Sequence, residues 1–263
     1  EQGQWSQAAV EFESLASNKN LDSAVRREAL WQAAELHEKA GSDQRAFGAY
    51  ERYVAQFASP LEPATEARFR LANLSQKLGQ SKSRDIWLDQ LVKAERSGGR
   101  ERTERTRYLA ATAAMTLAEP AYEAYRQVRL VEPLKQSLKN KKQKMQRALE
   151  AYGVAAEYGV AEVATVSTYR IAEIYNDLSR ALLASQRPKG LAVDELEQYN
   201  VMLEEQAYPF EEKAIELHEV NVQRVANGIY DQWVKRSYEA LGKLRPVRYA
   251  KVEKSEVIIN ALR

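Results

Sequence analysis

The strongest constraint in this 263-residue chain is a repeated interval. Gly3, Gly41 and Gly79 stand 38 residues apart, and the segments around the last two are alike. Before each of these two glycines, apolar and small residues recur at the i, i+3, i+4 spacing of an amphipathic helix, and a second such series follows. A glycine between two series supplies the left-handed residue that ends the first helix. The spacing therefore predicts a unit of two helices joined at a glycine.

The segment after Gly3 carries Ala8, Phe12 and Leu15 on one face. It predicts the second helix of a unit whose first helix is missing, so we interpret the chain as a processed or trimmed fragment. Pro60 and Pro63 predict the boundary between one unit and the next, because a helix does not easily continue through them.

These positions resemble the tetratricopeptide repeat (TPR) family, whose unit has small residues at positions 8 and 20 and an aromatic near 24. With the glycine at position 15, Ala34 and Ala72 take position 8, and Phe12 and Tyr50 take position 24. The unit is four residues longer than the usual 34. This variant is similar to TPR proteins of the Gram-negative envelope, such as outer-membrane assembly lipoproteins and cell-division coordinators. Two residues depart from the family pattern. Arg68 occupies position 4, which is usually apolar, and Arg84 occupies position 20, which usually holds a small residue.

The resemblance implies an all-α fold, a right-handed α-solenoid of TPR-like helical hairpins with longer, irregular helices in the C-terminal half. We divide the chain into three segments of one continuous solenoid. They are a regular array over 1–95, degenerate hairpins with a long basic helix over 96–187, and a long-helix or capping region over 188–263.

Beyond residue 95 the 38-residue interval is no longer regular. We therefore place the helix boundaries there by prolines and glycines. Residues 167–185 repeat the first-helix pattern, with Ala172 among its small residues. The predicted elements are a helical pair over 107–133, long helices over 134–158 and 167–185, then helices over 193–206 and 209–244, and a last short helix within 247–263.

In the TPR family, the first helix of each unit lines a concave groove. The resemblance therefore implies a partner-binding groove formed by Glu28, Trp31, Glu35, Glu38 and Lys39 in one unit and by Glu66, Phe69, Asn73, Gln76 and Lys77 in the next. Trp31 and Phe69 would be adjacent aromatic anchors on the inner wall. Packing of both rings between neighbouring repeats is an equal alternative.

The sequence offers little catalytic chemistry. It has no cysteine and two distant histidines, His37 and His218, for which we expect structural or solvated roles. The pair Gly98-Gly99 lacks the surroundings of a phosphate-binding loop. Acidic residues are mixed with Lys and Arg as on solvated helix faces. We expect no metal, no cofactor and no enzymatic activity.

One segment is strongly basic. This predicted basic helix spans residues 135–147, lacks acidic residues and contains Lys135, Lys139, Lys141, Lys142, Lys144 and Arg147. Such a stripe could dock an acidic protein, anionic lipid or nucleic acid, or simply be a long solvated helix. Aromatic residues do not alternate with the lysines, which argues against single-stranded nucleic acid.

Together these features favour a non-enzymatic scaffold or adaptor that binds a peptide or helix of a partner protein in the TPR groove. The resemblance suggests a bacterial envelope assembly, with a periplasmic or outer-membrane-associated location. One rival is a cytosolic regulator that binds nucleic acid or an acidic protein through the basic helix. Another is an enzyme-associated solenoid whose active site lies in the missing part.

No segment has the roughly twenty apolar residues of a membrane span, and the net charge of +2 gives no general attraction to anions.

Overall fold

The computed structural model describes residues 2–250, which form α-helices and two short 3₁₀ helices without a strand. The first five helices are α1 (Gln2–Ser17), α2 (Ser23–Lys39), α3 (Asp43–Gln56), α4 (Leu61–Lys77) and α5 (Ser81–Ser97). The others are α6 (Glu104–Arg126), α7 (Leu134–Ala156), α8 (Ala161–Leu183), α9 (Val193–Gln223), α10 (Gln232–Leu244) and α11 (Pro246–Tyr249). The all-α prediction is confirmed. Most of the predicted last helix, residues 251–263, lies outside the described residues.

Left-handed glycines end two of the helices, as the repeated interval predicts. Gly41 has φ 70° and follows α2, and Gly79 has φ 72° and follows α4. The next amide reaches back over the last turn, so that Ser42 N donates to the carbonyl of His37 at 2.9 Å. This bond satisfies a carbonyl that the end of the helix would otherwise leave without a partner. The paired-helix unit is therefore confirmed at these two positions.

Consecutive helices α1 to α5 pack against one another in chain order. Tyr50 and Tyr53 of α3 fill the space among α2, α3 and α4 as buried aromatic side chains. Small residues are buried throughout this helix packing. The fully or nearly fully buried ones include Ala29, Ala33, Ala34, Ala46, Ala49, Ala64, Ala67 and Ala72.

The described residues form two compact units. Unit 1 contains residues 2–124 and 150–164, and unit 2 contains residues 125–149 and 165–250. The interior of unit 1 includes an apolar cluster from α2, α3 and α4 and another that includes α5 and α6. The predicted segments 1–95, 96–187 and 188–263 describe the regularity of the repeats rather than compactness, and they stay a prediction.

The prediction of a helical pair over 107–133 is wrong, because α6 is one helix that continues through Pro120. Proline removes one backbone hydrogen bond and costs about 3 kcal/mol in a helix interior. Pro120 is exposed, whereas Tyr122 and Tyr125 just beyond it are buried. Burial of these side chains offsets the loss, and the helix continues.

The predicted break before Pro209 is also wrong. Helix α9 passes through this exposed proline and ends at Gln223, fourteen residues later. The chain then turns at Gly228, which has φ 76°, and Asp231 caps the start of α10 with its carboxylate. The segment predicted as one helix over 209–244 is therefore divided between α9 and α10.

The starts of α1 and α4 hold residues that would disturb a helix interior. Gly3 lies within α1 rather than before it, contrary to its predicted role as a turn residue. Pro60 directly precedes α4, and Pro63 lies in its first turn. The first amides of a helix have no carbonyl partner within the helix, so a proline there loses no hydrogen bond.

We predict that Gly79→Ala destabilises the protein by roughly 1–2 kcal/mol, because alanine at positive φ brings its Cβ too close to the backbone. The control is Gly48→Ala inside α3, where an added Cβ meets nothing within 4 Å. Alanine there should stabilise the helix by about 0.5–1 kcal/mol. Urea unfolding followed by circular dichroism measures both. Equal effects of the two substitutions would contradict the assigned turn.

Candidate partner-binding site

A cleft in unit 2 lies between one face of α8 and one face of α10. Its volume is about 370 Å³. On each helix the lining residues recur at three- and four-residue steps, so they share one side of that helix. The lining residues are Tyr169, Glu173, Asn176 and Arg180 of α8, with Arg236, Glu239, Ala240, Lys243 and Leu244 from α10.

Glu173 places a carboxylate in the wall of this cleft, and its side chain is 29% exposed. Its Oε1 lies 3.3 Å from Nε2 of His218, which is buried in α9. Burial by itself would raise the pKa of Glu173. The hydrogen bonding and charge of His218, together with Asn176, hold the pKa below its ordinary value. The cleft therefore presents a fixed negative charge at neutral pH.

A buried polar network holds His218 from behind. Its Nδ1 lies 3.2 Å from the hydroxyl oxygen of Ser237 on α10. Asn221 donates from Nδ2 to that same oxygen and to the carbonyl of Thr165, both at 3.0 Å. Helices α8, α9 and α10 are therefore joined by hydrogen bonds beneath the cleft. Buried hydrogen bonds of this kind give side chains a defined orientation.

Ser237, His218 and Glu173 are the residue types of a hydrolytic triad. Their arrangement is the reverse of an active site, because the serine is buried and the carboxylate faces the cleft. Ser237 is fully buried, and the carboxylate is the member that lines the cleft. A nucleophilic serine has to reach the substrate, with its base behind it. This arrangement instead orients a carboxylate toward the cleft.

The remaining charges of the cleft have both signs. Glu239 lies on the same wall as Arg236 and Lys243, and Arg180 extends from the opposite helix. The guanidinium of Arg236 stands 4.7 Å from the centre of the Trp233 ring, which limits its freedom. Such a surface suits a polar segment with charges of its own rather than a purely apolar ligand.

The repeat numbering could have located this cleft from the sequence. In the TPR-like numbering, the predicted groove residues Trp31, Glu35 and Glu38 stand at positions 5, 9 and 12. When Ala172 is placed at position 8, the same positions fall on Tyr169, Glu173 and Asn176. All three line the cleft. The partner of His218 cannot be identified from its neighbours in the sequence. Glu216 and Glu219 lie next to it in the chain, whereas Glu173 comes from another helix.

In unit 1, the predicted groove residues of α2 differ in exposure. Glu28 and Lys39 are exposed, and Glu35 and Glu38 are half-buried. Trp31 is half-buried, and its ring makes edge contacts with Tyr50 and with Tyr53, each at a centroid distance of 5.4 Å. The Trp31 indole therefore packs against α3, the second helix of its own hairpin.

The predicted residues of α4 show a similar mixture. Asn73, Gln76 and Lys77 are exposed, whereas Glu66 is half-buried. Phe69 is also half-buried and packs against the second apolar cluster of unit 1. Much of the surface of both predicted aromatic anchors is therefore buried against neighbouring side chains.

Ion pairs link the predicted face of α4 to its neighbours. Arg70 lies 3.4 Å from Glu38 of α2, and Arg105 of α6 makes two hydrogen bonds to Glu66, at 2.9 and 3.1 Å. The first-helix positions of successive hairpins are therefore adjacent in unit 1. Because these side chains are partly exposed, each pair contributes at most about 1 kcal/mol.

Only part of the predicted basic stripe lies on the surface. Lys135, Lys139, Lys142 and Arg147 are exposed and Lys144 is half-buried, but Lys141 is 2% exposed. The Lys141 Nζ donates to the carbonyl of Val128 at 3.1 Å and lies 3.5 Å from an Asp177 carboxylate oxygen. It also stands 4.1 Å from the centre of the Tyr125 ring.

Lys141 therefore has a structural position inside unit 2, which the charge pattern of the sequence did not reveal. Burial lowers its pKa, and the charge of Asp177 partly opposes the shift.

His37 is buried, as expected for a structural residue, and its Nε2 lies 3.7 Å from a carboxylate oxygen of Glu13. Burial lowers the pKa of His37, and the charge of Glu13 opposes this only in part. His218 is likewise buried rather than solvated. Among residues 2–250, no group of three or more His, Cys, Asp or Glu side chains is placed to hold a metal ion.

The comparisons with known proteins add little to this geometry. No known family and no curated protein matches the chain. Among solved structures, the crystal structure of BtubC (BKLC) from P. vanneervenii is similar at 16% sequence identity, over 100% of this chain and 96% of that chain, with a TM-score of 0.36. A similarity of this size supports no inference, so the site rests on its own geometry. Within the described residues, no helix has both the length and the apolarity needed to cross a membrane.

We predict that Lys141→Met destabilises the protein by about 1–3 kcal/mol, because the variant keeps the length of the side chain but leaves the Val128 carbonyl without its donor. The matched control is Lys139→Met on the same helix, at an exposed position, where the change should be within about 0.5 kcal/mol. Chemical unfolding of both variants provides the comparison. Equal unfolding midpoints would show that Lys141 is solvated.

A second prediction concerns the pH dependence of stability. As the pH falls through about 6.5, the unfolded chain gains a proton on His37, whereas the folded chain gains it only at lower pH. The free energy of unfolding should therefore decrease over this window. In His37→Gln the decrease between about pH 7.5 and about pH 5.5 should be smaller than in the wild type. A decrease of the same size or larger in the variant would contradict the assigned burial.

Proposed function

We propose that the protein is a non-enzymatic scaffold that binds a peptide or helix of a partner protein in the cleft between α8 and α10. The observation that carries this proposal is the position of Glu173. A buried network orients its carboxylate, and cationic side chains stand on the opposite helix of the same cleft. Oriented charged groups in a concave site are typical of specific recognition.

The repeat pattern supports the proposal independently. Groove positions of the TPR-like unit coincide with Tyr169, Glu173 and Asn176 in the cleft wall. We propose accordingly that the hairpins are TPR-like and that they follow the right-handed path of an α-solenoid. Partner binding on the first-helix faces of stacked hairpins is the general use of such arrays.

The cleft also suggests the character of its ligand. A volume of about 370 Å³ is near the lower end for ligand pockets and suits a few side chains of one segment. A cationic group of the partner would meet Glu173, and an acidic group would meet Arg236 or Lys243. We propose that the partner segment carries both charges at helical or extended spacing.

Unit 1 offers a further surface of the same type. Glu28, Asn73 and Gln76 are exposed on the first helices α2 and α4. We propose that these polar side chains, rather than the Trp31 ring, contact a partner on this unit. A role in a bacterial envelope assembly is part of the proposal, and it is supported by the resemblance of the 38-residue unit.

Peptide display tests the cleft even where the natural partner is unidentified. A library of random peptides would be selected on the wild-type chain, and the affinities of the enriched peptides would be measured on purified variants. Arg236→Glu and Lys243→Glu reverse charges inside the cleft, and Lys235→Glu reverses an exposed charge outside its lining. We expect the two cleft variants to weaken binding about tenfold or more, as for charge pairs at recognition sites. The control should stay within about twofold of the wild type.

Circular dichroism and thermal unfolding establish that all three variants are folded. The proposal fails if no peptide is enriched, or if the enriched peptides bind Arg236→Glu and Lys243→Glu as tightly as the wild type. A further variant, Glu173→Gln, keeps the shape of the side chain and removes its charge. It should weaken only those peptides that carry a cationic residue.

A further inference from the structure

A second cleft, in unit 1, is lined by three arginines. Arg96 lies in the last turn of α5, Arg102 follows the 3₁₀ helix Gly99–Glu101, and Arg107 lies in the first turns of α6. Val154 and Tyr158 form an apolar wall, and Glu157 completes the lining. The volume is again about 370 Å³. No residue of this cleft belongs to the predicted groove or to the basic stripe.

Arg102 is held in a fixed orientation from the protein side. Its Nε donates to Oε1 of Glu95 at 2.6 Å, and Glu95 is fully buried. This bond and the charge of Glu95 raise the pKa of Arg102. A guanidinium has five N–H donors, so the bond through Nε leaves the terminal amino groups for another acceptor. The Arg102 side chain is 41% exposed and lines the cleft.

Tyr158 supplies a further donor, because its O–H has no acceptor among the described residues. Its side chain is 8% exposed, it lines the cleft, and its O–H has no acceptor within residues 2–250, although Arg96 donates toward its oxygen. Burial raises the pKa of Tyr158, and the charge of Glu95 adds to this effect, whereas the hydrogen bond from Arg96 and the charges of Arg96 and Arg102 oppose it. The phenol is therefore protonated at neutral pH and can donate. A buried donor without an acceptor costs free energy that a ligand could recover.

The charge balance indicates which anion fits. Three guanidinium groups face two carboxylates, because Glu95 pairs with Arg102 and Glu157 lies 3.7 Å from Arg96. Arg107 has no ion pair within the described residues. The excess is one positive charge, which one carboxylate neutralises and a phosphate dianion would exceed. The apolar wall of Val154 and Tyr158 further favours a carboxylate attached to an organic chain.

We infer that this cleft binds the carboxylate of a glutamate or aspartate side chain in an acidic segment of a partner protein. Arg102 and Arg107 donate to its oxygens, Tyr158 donates from the wall, and Val154 contacts the adjoining apolar atoms. Arginine presents paired donors that match the two oxygens of a carboxylate. This site does not depend on the cleft between α8 and α10.

The test uses a small probe, the peptide acetyl-Leu-Glu-Leu-amide, and its counterpart with Gln in place of Glu. Binding is followed by NMR through the Arg Nε–Hε signals at constant ionic strength. We expect saturable shifts of the Arg102 and Arg107 signals with the Glu peptide, and binding of the Gln peptide that is weaker by about fivefold or more. Inorganic phosphate, titrated separately, should bind more weakly than the Glu peptide.

Substitutions then locate the site. Arg107→Gln should weaken the Glu peptide about fivefold or more, and Tyr158→Phe about threefold. The matched control is Arg100→Gln, an exposed arginine of the same connector that does not line the cleft, with a change within about twofold. Arg102 is left unchanged because its removal would leave the buried Glu95 without a partner.

The following outcomes would overturn the inference. They are equal binding of the Glu and Gln peptides, tighter binding of phosphate than of the Glu peptide, and equal weakening by Arg100→Gln and Arg107→Gln. Absence of any saturable shift would overturn it as well. None of these results affects the proposed function, because the probes and variants of the two experiments concern different units.

Discussion

The burial of apolar helix faces against neighbouring helices is the interaction on which the rest of the structure depends. No helix of a hairpin can bury its apolar face alone, so stability requires a neighbour at short distance. Ala34, Ala46 and Ala72 are at most 1% exposed, so they belong to this buried interface between helices. The aromatic residues Tyr50 and Tyr53 then fill the remaining space. Polar positions on the outer surfaces of the same helices are thereby left available for recognition.

Buried polar residues add definition to this packing. Lys141 satisfies a backbone carbonyl inside unit 2, and His218 connects three helices beneath the cleft. Both have partners, which is the condition under which a buried polar group is tolerated. In the case of His218 the consequence reaches the surface, because the same residue orients Glu173. A structural network and a recognition surface thus share one side chain.

The two clefts present charge in different ways. Between α8 and α10 both signs are displayed, and one carboxylate is held in place from below. In the arginine cleft of unit 1 the carboxylate Glu95 is entirely internal, and it orients a cation that faces outward. In each case the charge that could meet a ligand is positioned by a buried counterpart. Such preorganisation reduces the entropy lost when a partner binds.

The sequence by itself determined the helical class, the paired-helix unit and the turns at Gly41 and Gly79, because glycine conformation and apolar spacing are local properties. The dipeptide Asn227-Gly228 also favours a turn, and it is a better guide to the end of this helical segment than Pro209. Only the tertiary structure decided that α6 and α9 continue through their prolines, since the compensation comes from burial of side chains on both sides. Only the structure placed Lys141 inside and joined His218 to Glu173, which lie 45 residues apart in the chain. Pairings of this kind depend on which helix faces meet, and a single sequence does not encode that in any local pattern.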